Sequence, residues 1–235
     1  MSQTPFILIL KELYRRSDPF LGLYVMLLIP ALFVLFYFGK GEIHLFVNHY
    51  HSPFFDKFFY YVTKLGEPAI VIAMIIGLLF FRYRYSLILA LSAALGAGSS
   101  GFIKFLIEDD MRPMKFFQYY NAPLHFVEGV RLNEYNSFPS GHTTEAFVFL
   151  FLVSVFFQKR WLSALCLFLA ALVAYSRMYL SMHFLIDVTV GSLLGLLCAG
   201  GVYWLVTYNY RFTKRKWWDG RLRRRRRLEA IDRDE

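Results

Sequence analysis

Two histidines and one carboxylate stand beside long apolar segments of this sequence, and together they could carry out nucleophilic chemistry. His183 and Asp187 are four residues apart, so on a helix they would share one face and the carboxylate could hold one tautomer of the imidazole. The other ring nitrogen would then be the better nucleophile. His142, which ends the tetrapeptide PSGH, could protonate a leaving oxygen and later activate water.

The polar residues around these histidines suit a phosphate group. Guanidinium groups match phosphate oxygens in pairs, and lysine supplies a compact positive charge. A serine hydroxyl adds a donor, and a glycine at the start of a helix lets backbone N–H groups approach an anion. Such donors would stabilise the charge that spreads over the oxygens in a phosphoryl-transfer transition state. The candidate phosphate-binding residues are Lys104, Arg112, Ser140, Gly141 and Arg177.

The segments that must position these residues predict an all-α fold in a membrane. Hydrophobic residues make up 57% of the chain and charged residues 18%, against roughly 45–50% and about 25% in soluble domains. Because the excess lies in long uninterrupted runs, we expect an integral membrane bundle of about six transmembrane helices. Pro30 would kink the first span, and the second needs an extension back through residues 60–65. The predicted spans are 20–38, 69–81, 85–107, 143–157, 161–179 and 184–208.

Three regions follow from this pattern. Residues 1–19 predict an N-terminal interfacial helix, because apolar and basic positions share a short amphipathic segment. Residues 20–208 form the six-helix domain, and residues 209–235 a basic cytoplasmic tail. The arginines of this tail favour contact with anionic membrane lipids over nucleic acid, since an isolated basic tail is weak evidence for nucleic-acid binding.

The basic residues also predict the orientation of the bundle. If both termini are cytoplasmic, most lysine and arginine residues lie on the cytoplasmic side, as the positive-inside rule expects. All candidate site residues then converge on the outer side of the plasma membrane, which in a bacterium is the inner membrane. Their convergence from distant parts of the sequence is the strongest sequence argument for a common site.

The motifs resemble those of the phosphatidic-acid phosphatase type 2 superfamily of membrane lipid phosphatases, whose pattern is K-x6-RP, PSGH and SR-x5-H-x3-D. PSGH occurs at 139–142, and the third motif fits Ser176, Arg177, His183 and Asp187. The resemblance covers most of the chain. It implies that His183 is a phosphohistidine nucleophile, that Asp187 orients it and that His142 is the acid and base. It also implies a reaction without metal or cofactor, and phosphate binding by Lys104, Arg112, Ser140, Gly141 and Arg177.

One residue separates this sequence from the first motif of the family. Seven residues rather than six lie between Lys104 and Arg112, which on a continuous helix would rotate the arginine by about 100° relative to the lysine. We expect the acidic residues 108–110 to have left the helix, so that the loop absorbs the extra residue. Lys115 is an alternative cation for this position. A metal site at the acidic residues is disfavoured, because three cations and a histidine nucleophile leave little work for a metal.

Three further histidines lie in an aromatic-rich region, residues 39–66, which predicts helical pieces on the membrane surface. They are His44, His49 and His51. Their clustering could indicate a metal site, but no carboxylate or cysteine completes the set. We therefore interpret them as interfacial polar residues.

These features favour an enzyme that hydrolyses a phosphomonoester or diphosphate of a membrane lipid. The family resemblance suggests undecaprenyl diphosphate, phosphatidylglycerophosphate, phosphatidic acid or a lipid A phosphate as the substrate. A first alternative is a phosphotransferase that passes the phosphate to another lipid. A second is a non-catalytic membrane channel or scaffold. The expected partners are the lipid phosphate and the surrounding membrane lipids.

Overall fold

Helices account for most of the described residues, as the all-α prediction requires. The computed structural model describes residues 5–107, 110–208 and 219–222 of the chain. A short 3₁₀ turn, Thr63–Gly66, follows the fourth helix. The α-helices among these residues are α1 Pro5–Ser17, α2 Phe20–Tyr37, α3 Lys40–His49, α4 Pro53–Val62, α5 Pro68–Leu78, α6 Tyr83–Leu106, α7 Pro113–Tyr119, α8 Gly141–Phe157, α9 Arg160–Tyr179 and α10 Leu185–Tyr208.

Local sequence signals fix several of the helix ends. Proline occupies the first turn of α4, α5 and α7, where its missing N–H costs nothing. Ser52 caps α4 by accepting a hydrogen bond from Phe55 N at 3.3 Å. At the C-terminal end of α8, Gln158 adopts the left-handed conformation that ends many helices. Pro30 lies inside α2 without ending it, as expected.

The all-α membrane fold is confirmed, but the count of six spans is not. Among the described residues, four helices are long and apolar enough to cross a bilayer, namely α2, α6, α9 and α10. The helices α4 and α5 pass the same test only together, and they are bent by 51° at the break between them. The bend lies between the predicted second span, 69–81, and residues 60–65, through which that span had to be extended. The remaining apolar helix, α8, is shorter at 17 residues.

The core of the bundle is α8, whose residues 143–156 are all buried. It packs against α6, α9 and α10, and the inner residues of these helices form one hydrophobic cluster with it. Two glycines of α10 allow a close approach. A Cβ atom on Gly191 would lie 2.7 Å from the carbonyl oxygen of Ser140, and one on Gly195 would lie 2.5 Å from that of Thr144. The first turn of α8 is thereby held against the start of α10.

The short helices differ from the predicted surface pieces. The helix α3 packs on α9, α10 and α7 rather than standing apart, and it buries Ile43, His44, Val47 and Asn48. The interpretation of His44 as an interfacial residue is therefore wrong, because 1% of its surface is exposed. His49 and His51 are exposed. At the other end of the chain, α1 packs against α2 and α8 and buries Leu13.

The predicted basic tail lies largely outside the described residues. The segment that is described, residues 219–222, contacts the turn between α5 and α6. The Gly220 carbonyl accepts a hydrogen bond from Tyr83 N at 2.9 Å, and Asp219 lies 3.5 Å from Arg82 and 3.4 Å from Arg84. This contact places part of the tail at the end of the bundle opposite Lys104.

We predict that Gly195→Ala destabilises the bundle. The added methyl group would meet the backbone of α8, which cannot move aside as a side chain can, so overpacking should cost about 1–3 kcal/mol. Gly201→Ala is the matched control on the same helix, because a Cβ atom there has no neighbour within 4 Å. Thermal unfolding of the detergent-purified variants should give a lower Tm for Gly195→Ala only, and equal Tm values would contradict the packing described.

Candidate active site

The predicted site residues meet at one end of the bundle, although they come from five separate segments. These are the end of α6, the start of α7, the start of α8, the end of α9 and the loop that leads into α10. Arg177, Arg112, Lys104 and His142 all lie close enough to His183 for their charges to act on it. The eight residues brought together are Lys104, Arg112, Ser140, Gly141, His142, Arg177, His183 and Asp187.

His183 and Asp187 face each other in a buried position. Nδ1 of His183 lies 3.5 Å from Oδ2 of Asp187, and each side chain is only 2% exposed. The same carboxylate oxygen accepts hydrogen bonds from Ser137 Oγ at 2.5 Å and from Phe184 N at 2.8 Å. These two donors fix the carboxylate beside the ring. The pair does not share one helix, however, because α10 begins at Leu185 and His183 precedes it.

The surroundings of His183 favour its neutral form. Burial lowers the pKa of His183 well below its ordinary value of 6.5, and the charges of Arg177, Arg112 and Lys104 lower it further. A neutral imidazole keeps the lone pair that a nucleophile needs. Since Nδ1 faces Asp187, the chemistry available to this ring is at Nε2.

Arg177 is the most deeply buried cation of the group, with 4% of its surface exposed. Its Nη1 donates to the hydroxyl oxygen of Thr63 at 2.7 Å, which ties the end of α9 to the 3₁₀ turn. Its Nε is buried with no acceptor among the described residues. Because an unpaired buried donor on a charged group is costly, this N–H suits an anionic ligand.

Arg112 is held by backbone carbonyl groups. Its Nε donates to the carbonyl oxygen of Tyr135 at 2.9 Å, Nη1 to that of Met182 at 3.3 Å and Nη2 to that of Asn136 at 3.2 Å. These bonds join the long loop before α8 to the loop before α10. The guanidinium is therefore oriented by neutral groups, and the carboxylates of Asp187 and Asp110 lie close enough to act on its charge.

Lys104 bonds to the same carbonyl group as Arg112, despite the extra residue between them in the sequence. Its Nζ donates to the carbonyl oxygen of Asn136 at 2.6 Å. The helix α6 ends at Leu106, so Lys104 and Arg112 do not belong to one continuous helix and the rotation of about 100° does not arise. Lys115 instead pairs with Glu134 at 3.1 Å. Of the acidic residues expected to leave the helix, 108 and 109 lie outside the described residues.

The start of α8 supplies the neutral donors. This helix begins at Gly141, two residues earlier than predicted, so that its first N–H groups point out of the helix end. The Ser140 N–H donates to the carbonyl oxygen of Asp187 at 3.0 Å, and the Ser140 Oγ accepts from Thr143. A Cβ atom on Gly141 would meet only Ser100 Oγ, at 3.8 Å. Packing therefore does not require a glycine at this position.

The 3₁₀ turn before α5 sets the position of His142. A Cβ atom on Gly66 would lie 2.8 Å from the His142 carbonyl oxygen and 3.1 Å from its Cβ. Only glycine allows this approach of the turn to the start of α8. The same turn carries Thr63, so one short segment positions both Arg177 and His142.

The acidic residue nearest the group, Asp110, has a structural role. Its Oδ2 accepts a hydrogen bond from Phe138 N at 3.0 Å, and Lys40 lies 3.8 Å from its Oδ1. Within residues 5–107, 110–208 and 219–222, no three His, Cys, Asp or Glu side chains are placed to hold a metal ion together.

Sequence reasoning missed Ser137 and Thr63, which contact Asp187 and Arg177. Ser137 lies two residues before the PSGH segment, and this nearness is the one signal that could have found it. Thr63 lies 114 residues from its arginine partner, and no local pattern indicates that contact.

The fold and the site define an integral membrane phosphatase. The model of the PAP2 superfamily matches residues 84–211, more than half of the chain, and the protein belongs to this family. The matched region contains all eight residues brought together at the site.

Relatives and solved structures agree with this assignment. Lipid A 4'-phosphatases of Bacteroides thetaiotaomicron and Porphyromonas gingivalis are 26% and 27% identical, over 66% and 72% of this chain and 71% and 73% of their own length. The structure of Aquifex aeolicus LpxE matches with a TM-score of 0.62 and 26% identity, over 69% of this chain and 93% of that one. A transmembrane PAP2 type phosphatidylglycerolphosphate phosphatase from Bacillus subtilis shares the fold, with a TM-score of 0.52 at 21% identity over 85% of this chain and 99% of that one.

We predict that His183 makes the folded protein less stable at acid pH. Its pKa is lowered in the folded state, so below pH 6.5 the unfolded chain binds a proton that the folded chain does not. His183→Asn removes this group, and the loss of unfolding free energy between pH 7 and pH 5 should shrink by up to about 2 kcal/mol. The measurement is Tm at both pH values in detergent.

The control for this measurement is His49→Asn, which replaces an exposed histidine. The control should show the same change of Tm with pH as the wild type. An identical pH dependence in His183→Asn would contradict a buried neutral imidazole at this position.

Proposed function

We propose that this membrane lipid phosphatase works through a phosphohistidine formed on His183. The observation that carries the proposal is the buried imidazole of His183, which lies between the Asp187 carboxylate and a group of cations. Nε2 would attack the phosphorus atom while Asp187 stabilises the positive charge that develops on the ring. Lys104, Arg112 and Arg177 would compensate the phosphate oxygens.

The first step breaks the bond between phosphorus and the leaving oxygen of the lipid. Burial and the neighbouring cations lower the pKa of His142 to about 3, and the negative charge of a bound phosphate opposes that shift. In its protonated form His142 donates a proton to the leaving oxygen, so the dephosphorylated lipid leaves with a hydroxyl group, or as a monophosphate if the substrate is a diphosphate. In the second step His142 takes a proton from water, whose oxygen attacks phosphorus. The N–P bond breaks, inorganic phosphate leaves, and both histidines return to their starting states.

The names of two relatives make a lipid A phosphate the leading substrate to test. Both are lipid A 4'-phosphatases, and each alignment covers about two thirds or more of both chains. Undecaprenyl diphosphate, phosphatidylglycerophosphate and phosphatidic acid complete the panel. A shorter match, 44% identical over 29% of this chain and 33% of the relative, is the bacitracin transport permease protein BcrC of Bacillus licheniformis.

The charge distribution supports a site that faces outward, with both termini cytoplasmic. Arg16 and Arg84 line a cavity at the end of the bundle opposite Lys104, and Arg160 begins α9 there. Basic residues mark the cytoplasmic end of membrane helices. The lipid head group would then be hydrolysed at the outer leaflet while its chains stay in the bilayer.

We predict that His183→Ala and His142→Ala each reduce phosphate release by at least about 100-fold, because each removes a reacting group. The assay follows inorganic phosphate released from the lipid panel by detergent-purified protein. His49→Ala, the exposed control, should keep wild-type activity. Near-normal release by His183→Ala would reject the histidine nucleophile, whereas no release by the wild-type protein would favour a channel or scaffold.

The phosphoenzyme gives a separate test of the two roles. With a diphosphate substrate, whose leaving group needs little protonation, His142→Ala should accumulate acid-labile label from a radiolabelled donor, whereas His183→Ala should accumulate none. Adding an acceptor lipid distinguishes hydrolysis from transfer: label that moves to the acceptor instead of to inorganic phosphate identifies a phosphotransferase.

A further inference from the structure

We propose that His44 is a positioning residue for His183, acting through the loop between α9 and α10. This loop, residues 180–184, is called the α9–α10 loop below. The proposal rests on the proposed function of His183 for its kinetic test. In this proposal α3, which carries none of the family motifs, holds the reacting imidazole in place.

The α9–α10 loop is short and conformationally constrained. Ser181 has a φ of 53°, in the left-handed region that is unfavourable for a residue with a side chain. Directly after it, the N–H groups of Met182 and His183 both donate to the carbonyl oxygen of Arg177, at 3.0 and 3.2 Å. The conformation of Ser181 therefore decides the direction in which His183 leaves α9. Such a conformation persists only when contacts around it hold it.

The contacts that hold Ser181 come from α3. Nε2 of His44 lies 3.2 Å from Ser181 Oγ, and Nδ2 of Asn48 donates to the same oxygen at 3.3 Å. All three side chains are buried. Because water does not replace a lost partner at a buried site, these hydrogen bonds contribute more than exposed ones would. Asn48 also pairs with the backbone of His125 in both directions, which fixes it independently.

The His44 ring contacts the loop on the other side of His183 as well. It lies edge-to-face against Phe184, with ring centroids 5.4 Å apart, and it stacks on Phe117 of α7 at 5.6 Å. The N–H of Phe184 donates to Oδ2 of Asp187. One imidazole of α3 thus touches the residue two positions before His183 and the residue directly after it. Those contacts define both ends of the segment that presents the nucleophile.

The polar character of this ring has a cost that packing alone does not explain. Burial lowers the pKa of His44 to about 4, so the ring is neutral at physiological pH and carries one N–H. Its Nδ1 is buried with no hydrogen-bond partner among the described residues. A phenyl ring would fill the same space without that cost. What the imidazole adds is the hydrogen bond to Ser181.

The decisive variant is His44→Phe, which keeps the aromatic packing and removes the hydrogen bond. We expect kcat to fall about 10- to 100-fold, because small displacements of a reacting group have effects of that size. KM should change less than kcat, since the side chains of Lys104 and Arg177 bond to Asn136 and Thr63, outside this loop. His49→Phe on the exposed face of α3 is the matched control and should leave kcat unchanged. Wild-type kcat in His44→Phe, or a change confined to KM, would overturn the proposal.

A double-mutant cycle shows whether His44 acts through Ser181. Ser181→Ala removes the hydroxyl oxygen, so His44→Phe combined with Ser181→Ala should lose little more kcat than either single variant. Multiplicative losses of kcat would overturn the proposed route. Ser181→Gly, which also relieves the left-handed conformation, replaces Ser181→Ala if that variant does not fold.

Hydrogen–deuterium exchange provides a readout that does not depend on the substrate. In His44→Phe the backbone amides of residues 180–184 should exchange faster than in the wild type, while those of α8 should not change. If the wild type releases no phosphate from any lipid, the proposed function fails, but faster exchange still supports the contact between α3 and the loop. Unchanged exchange at residues 180–184 overturns the positioning role in either case.

Discussion

The arrangement of the site depends on the contacts made by the side chain and backbone of Asp187. Its Oδ2 accepts hydrogen bonds from Ser137 and Phe184 and lies 3.5 Å from His183, and its backbone carbonyl accepts one from Ser140. One residue in the first turn of α10 therefore connects the loop before α8, the start of α8 and the loop before α10. A buried carboxylate is tolerated only where donors and positive charge surround it. The donors and cations that stabilise the buried Asp187 carboxylate are therefore also the groups that set the geometry of the site.

The cations are subject to a related constraint. Lys104 and Arg112 both donate to the carbonyl oxygen of Asn136, and Arg177 donates to the Thr63 hydroxyl. Each cation is thus oriented by a neutral oxygen rather than neutralised by a carboxylate of its own. A phosphate that enters the group would find three positive charges already oriented, which lowers the cost of reorganisation during the reaction. The close packing of α10 on α8 at Gly191 and Gly195 fixes the relative position of these two helices.

Several features of the fold could be predicted because they depend on local composition. The long apolar runs gave the helices α2, α6, α9 and α10 close to their observed bounds, since a span requires about 20 consecutive apolar residues wherever it packs. The predicted count of six spans was not confirmed, because neither the second span nor α8 qualifies by itself as a full-length span. The second span is broken by a 51° bend next to Gly66, whose approach to the start of α8 is a tertiary contact. His44 was misjudged for the same reason, because its burial depends on α7 and α9.

The sequence by itself determined the class of fold, the residue types at the site and their convergence on one end of the bundle. Motif spacing and apolar periodicity are properties of short segments, so they survive without knowledge of the packing. Only the tertiary structure decided that His183 lies before α10 rather than on it, that Ser137 and Thr63 contact Asp187 and Arg177, and that α6 ends before Arg112. These facts depend on contacts between residues far apart in the chain, whose partners no local pattern specifies.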